Sequence, residues 1–269
     1  MSLVSFSNAL SDGFVVAKRN LIKIKRVPDL LVFTTLQPIM FVFLFAYVFG
    51  GAIVVKGSNY REFLMAGIFA QTVVFGATIT GAGLALDMQK GIIDRFRSLP
   101  MSPSAVLFGR TLSDVVNNVI VVVVMSLTGL VVGWRIHGSL LEALGGYLVL
   151  LAFAYAFSWV MALVGLLAPS PEVVNNAAFI VIFPLTFIAN TFVPLSTLAG
   201  PLKSFAEWNP VSTVTQAARD LFGNIPPGTP TADGWAMHHP ALYTLIWAVA
   251  ILVIFVPLTT RQYRRSVGR

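Results

Sequence analysis

The chain has 269 residues, of which 57% are hydrophobic and only 11% charged, whereas soluble domains carry roughly 25% charged residues. That composition excludes an ordinary soluble domain, and the absence of cysteine excludes disulfides, thiolate metal sites and a cysteine nucleophile. The net charge of +7 would suit a nucleic-acid partner, but its distribution along the chain argues for a membrane instead.

Uncharged stretches run 30–55, 63–86, 115–134, 143–171, 173–202 and 234–260. Each supplies the ~20 apolar residues that cross a ~30 Å hydrocarbon layer as a helix. Lipid offers backbone amides no partners, so helices satisfy them internally. A β-barrel would show alternating polarity, which "FVFLFAYVFG" and "VIVVVVMSLTGLVVG" lack. The expected fold is therefore an all-α polytopic membrane protein, a single transmembrane domain over 1–269, with transmembrane helices at 30–50, 63–86, 104–133, 140–167, 171–192 and 240–258. The first apolar run is too long for a signal-peptide core and reads as a retained span. With six crossings and the N-terminus inside, the cytoplasmic segments hold thirteen cations and the outside five: Lys56, Arg61, Arg135, Lys203 and Arg219. The split follows the positive-inside rule, puts both termini in the cytoplasm and leaves no call for nucleic acid.

Residues 1–28 form the cytoplasmic approach to the first span. Leu10, Phe14, Ala17, Leu21 and Ile24 follow a helical stripe, with Lys18, Arg19, Lys23 and Arg26 largely off it. A basic amphipathic helix of this kind lies in the headgroup layer, either as a simple anchor or with a docking role. Gln37 in span 1, Gln71 in span 2, and Asn175, Asn176 and Asn190 in span 5 either line a substrate path or hydrogen-bond between helices. In span 3, Asp114, Asn117 and Asn118 share a face, and Arg110 one turn earlier makes an ion pair the expected role of Asp114 rather than a proton relay. Ser-Pro pairs open spans 3 and 5, with Ser170 as cap and Pro171 in the first position of the latter. The external segment 193–239 holds two short helices, "PLKSFAEW" and "NPVSTVTQAARDLFGN". Asn209 caps the second, Gly223 stops it, and Val211, Val214, Ala218, Leu221 and Phe222 give it an apolar face. A cytoplasmic tail, 259–269, closes the chain.

Chemistry-bearing motifs are sparse. No phosphate-binding Gly-x-x-x-x-Gly-Lys-Ser/Thr loop occurs, so ATP-driven work would need an ATPase on another polypeptide. His238-His239 would need a third ligand to hold zinc and reads as a polar boundary. No catalytic residue, bound cofactor or metal is expected in this chain.

The segment 87–103, "DMQKGIIDRFRSLPMSP", is the exception to the low charge. Ile92, Ile93, Phe96 and Leu99 form one stripe of a two- to three-turn helix, with Lys90, Asp94 and Arg97 opposite. Pro100 ends it, since the residue before proline avoids helical geometry. A solvated loop would need neither the stripe nor the stop, and a short helix at the cytoplasmic mouth suits docking a soluble partner.

"GIIDRFRSLPMSPSAVLFGR" resembles the intracellular loop of ABC type-2 permeases, and its form Arg-Phe-x-Ser-(Leu/Met)-Pro-Met-(Ser/Ala)-Pro is nearest the daunorubicin/doxorubicin-resistance type. "EWNPVSTVTQAARDLFGN" resembles the same group's external segment before the last span. The resemblance implies a permease in the bacterial cytoplasmic (inner) membrane that exports amphipathic drugs or lipid-like molecules. It would pair with a second permease copy or a sister permease and be driven by two ABC ATPase subunits that hold the ATP and magnesium. In that family the segment matching 91–100 is a coupling helix seated in the ATPase. Ile92, Ile93, Asp94, Arg95, Phe96, Arg97 and Leu99 are the implied contact group. A permease for polysaccharide, teichoic acid or glycolipid is the alternative cargo class. An ion-coupled secondary transporter would want buried carboxylates near mid-bilayer, which the spans lack.

Overall fold

A computed structural model describes residues 13, 15–19, 22, 28–50, 59–93, 103–225 and 234–266, and these are helical with short connections and no strand. Helix α1, Pro28–Phe43, runs on into a π-helical stretch, Leu44–Phe49. The long helices α2, Tyr60–Gln89, α3, Pro103–Val132, and α4, Leu140–Leu167, follow. Then come α5, Pro171–Phe187, and three short helices: α6, Gly200–Trp208, α7, Pro210–Leu221, and α8, Trp235–His238. The last is α9, Pro240–Ser266.

Among the described residues four helices are long and apolar enough to cross a membrane, 60–89, 106–132, 140–167 and 240–265; Thr35–Phe49 and Pro171–Phe187 are shorter apolar helices. The chain is thus an all-helical, multi-pass membrane protein. Its helices alternate between a lower end, which holds residues 13, 15–19 and 22, the turn after α2 and the end of α9, and an upper end, which holds 133–139 and 188–225.

Helix α2 is the axis of the bundle. It packs on α1, α3, α4, α5 and α7, most extensively on α4, which in turn packs along α9. Close approach of α2 and α4 depends on two glycines. A Cβ on Gly165 would collide with the Gly81 carbonyl, and one on Gly81 would lie 2.5 Å from the Met161 carbonyl oxygen. Small residues allow such crossings where lipid gives no hydrophobic drive for helix association.

Local chemistry sets the helix ends. Ser139 and Glu142 form a reciprocal capping box for α4, Ser170 accepts from the Val173 amide at α5, and Asn209 accepts from Val211 at α7. Gly223 ends α7 with φ +68°. The α5 helix stops at Phe187, short of the stretch 171–192 expected from hydropathy, with Pro184 inside its last turn. At 1.5 Å per residue its 17 residues span about 26 Å, less than the ~30 Å of a hydrocarbon core.

Candidate functional site: a mid-bundle cavity and its two polar supports

A cavity of about 260 Å3 lies halfway along the bundle between α1, α2 and α3. Gln37, Pro38 and Phe41 come from α1, Gln71, Phe75 and Ile79 are among those from α2, and Asn117, Asn118 and Val121 come from α3. Gln71, Asn117 and Asn118 are buried, while the exposed Gln37 stands at the rim. The structure therefore gathers Gln37 and Gln71 with the amide pair of α3, a pair the sequence put on the face of Asp114.

Below the cavity the same face of α3 carries an ionic group. Asp114 accepts a hydrogen bond from the Thr80 hydroxyl at 2.5 Å and pairs with Arg110 at 3.8 Å. Arg110 also donates to the Ile79 carbonyl at 2.9 Å and lies in the space where Gly83 has no side chain. The expected Arg110–Asp114 pair is present, and Thr80 is the partner the sequence did not reveal. The carboxylate is thus held by one hydroxyl donor and faced by one guanidinium, the arrangement of an internal ion pair.

Toward the lower end, Gly91 turns the chain out of α2 with φ +62°. Ile92 is partly exposed, whereas Ile93 is buried in a cluster with Leu84, Leu107, Trp159, Leu166 and Tyr263, contributed by α2, α3, α4 and α9. Asp94, Arg95, Phe96, Arg97 and Leu99 lie outside the described residues. Of the N-terminal stripe, Ala17 is buried, as is neighbouring Val16, which meets α3 beside Gly109, and Arg19 pairs with Asp87 at 3.5 Å. Leu10, Phe14, Leu21 and Ile24 lie outside the described residues.

The remaining path candidates are placed elsewhere. Asn175 and Asn176 face out from the lower half of α5. Asn190 is part of a buried polar knot at the upper end. Its side chain donates to Gln216 at 2.7 Å and accepts from Arg219, and its amide donates to Ser212 at 3.0 Å. Arg219 is 1% exposed and donates further to the carbonyls of Phe63 at 2.9 Å and Asn190 at 2.6 Å, with its guanidinium 3.5 Å from the centre of the Phe63 ring. Burial lowers the pKa of this guanidinium, while Asp220 and Tyr60 act to raise it; an arginine still keeps its charge at neutral pH. The signal that would have found this knot is positional: Arg219 lies on the apolar face of α7 with Val211, Ala218 and Phe222.

Comparison with known proteins matches residues 13–222 to the ABC-2 type transporter family. The chain is 34% identical over 248 residues, 92% of its length and 84% of the relative's, to the daunorubicin resistance ABC transporter permease protein DrrB1 of Streptomyces coeruleorubidus. It is 28% identical over 213 residues (78% and 72%) to the doxorubicin resistance ABC transporter permease protein DrrB of Mycobacterium tuberculosis. A putative transport permease, ycf38 of Cyanophora paradoxa, is 27% identical over 221 residues (80% and 75%). The apolar helical bundle and these matches agree with the resemblance carried by the charged loop, and the chain belongs to the ABC-2 type transporter family.

Proposed function

We propose that this chain is the membrane-spanning permease subunit of an ATP-driven exporter that moves amphipathic drugs or lipid-like molecules out of a bacterial cell. The observation that carries this reading is the 34% identity to a daunorubicin-resistance permease over 92% of the chain. On this reading α1 to α5 and α9 are the six spans, the lower end faces the cytoplasm, and α6, α7 and α8 cap the outside. The excess of cations in the lower segments supports that orientation. Two ABC ATPase subunits supply the ATP hydrolysis, and a second permease chain completes the pathway. The outward-facing amides Asn175 and Asn176, set among the exposed Val173, Phe179 and Ile180, favour α5 as part of the permease pairing, because amides in lipid gain from a helix that can bond them.

The ATPase contact is assigned to the segment 91–100. Ile93 sits in a buried cluster drawn from four helices, so force applied at Asp94, Arg95, Phe96, Arg97 and Leu99 is transmitted into the bundle at that residue. Replacing Phe96 and Arg97 with alanine is expected to abolish co-purification with the ATPase, with the thermal unfolding of the permease unchanged. Transport by the purified chain alone under an ion gradient would overturn the reading.

A further inference from the structure

Among the described residues, the four amide side chains that line the mid-bundle cavity make no hydrogen bond to the protein. Gln37, Gln71, Asn117 and Asn118 are without a side-chain partner, although Gln71 and Asn117 are only 8% exposed and Asn118 3%. Elsewhere in the bundle, buried side-chain amides are paired: Asn190 with Gln216 and Arg219, Asn209 with Leu185 and Ile188, Asn224 with Trp134 and Arg135. Buried polar groups in proteins are as a rule satisfied, and one left unpaired in apolar surroundings is costly. Here the unpaired groups converge on a single void, which is the arrangement of a site that awaits its partner.

The lining also specifies the kind of partner. Phe41 and Phe75 supply aromatic rings, and Pro38, Ile79 and Val121 supply apolar wall. Among the described residues no ionisable side chain lines the cavity, and Asp114, one turn below Asn118, is held by Thr80 and Arg110. Gly76 leaves the room in which the Asn118 amide sits, since a Cβ there would come within 2.8 Å of its Oδ1. Amides both donate and accept, so they match hydroxyls and carbonyls on a flat ring without asking for charge. The volume of about 260 Å3 falls below the about 300–1,000 Å3 of drug-sized pockets. It therefore takes part of such a molecule and leaves the remainder at the rim near Gln37.

We infer that this cavity binds the uncharged, oxygen-substituted ring portion of an amphipathic cargo, and that any cationic portion is not recognised there. The inference rests on the export reading for its cargo, but the site can be tested without the ATPase. Full-length protein in lipid nanodiscs is titrated with a dihydroxyanthraquinone, followed by its own fluorescence, with anthracene and tetraphenylphosphonium as competitors. Saturable binding is expected. Asn118→Leu and Gln71→Leu should each weaken it about tenfold, one neutral hydrogen bond's worth or slightly more. Neither competitor should displace the quinone.

Because each leucine replaces an unpaired amide with an apolar group of similar size, both variants should unfold at the same temperature as the parent or higher. A misfolded variant would be seen by the opposite shift, and Asn118→Gln, which keeps the amide chemistry, then serves as the replacement, with binding expected to survive. Equal affinity in parent and variants, displacement by anthracene, or no saturable binding in the parent would each overturn the inference, leaving a void filled by water or an acyl chain. Those results would leave the ATPase co-purification test untouched, and failure of that test would leave quinone binding intact.

Discussion

Arg219 is counted among the outer cations when the chain is read as composition, yet it is one of the most buried side chains in the bundle. Its five N–H donors form a fixed fork, and here they reach the Phe63 carbonyl of α2 and the Asn190 and Thr191 carbonyls in the turn after α5. Removing the fork leaves several buried acceptors dry. Arg219→Met is expected to cost about 3 kcal/mol of stability, read as a lower unfolding temperature of the detergent-solubilised chain. Arg219→Lys keeps the charge but not the fork and should fall between the two. The sequence shows a charge on an apolar face here, but not that Asn190 is its partner, because a contact 29 residues away leaves no trace in local spacing. The mid-bundle amides have the same history. Gln37 and Gln71 stand out as polar residues in spans, but only the packing of α1, α2 and α3 separates them from Asn175 and Asn176, which face outward.

At the level of elements, the short α5 is explained by what covers its end. Asn209 donates to the carbonyls of Leu185 at 2.7 Å and Ile188 at 2.9 Å while its oxygen caps α7. One side chain thus closes one helix and opens another, where irregular backbone at membrane depth has to be satisfied by protein. Asn209→Asp retains the cap and loses both donors, and Asn209→Ala loses all three bonds. Both should lower the unfolding temperature, the alanine by about 2 kcal/mol; a fully native Asn209→Asp protein would show that capping alone matters. Helix starts such as Ser170-Pro171 and Asn209-Pro210 were legible in the sequence because capping is a local rule. The end of α5 was not, because hydropathy continues past Pro184 and the bonds that close it come from α7.

For the molecule as a whole, the orientation rests on the sorting of cations, and the lack of cysteine makes it open to direct measurement. In intact cells a membrane-impermeant maleimide is expected to label Lys203→Cys, and to label Lys18→Cys and Arg264→Cys only after permeabilisation. The reverse pattern would invert the proposed topology and put the charged segment 87–103 out of reach of any cytoplasmic ATPase.

The upper end carries one more consequence. Helix α7 is tied to α2 and the α5 turn through Arg219. The chain just beyond it is tied to the α3–α4 connection through Asn224, which accepts from Trp134 at 2.8 Å, and through the Phe222 carbonyl, which accepts from His137 at 2.9 Å. Parts fastened on every side travel together, so this region is a doorframe and not a door. In the paired exporter proposed above, cargo leaving by this side would have to pass between two such frames as the chains part. An engineered crosslink joining the frames would stop release, whereas one confined to a single frame would leave it unhindered.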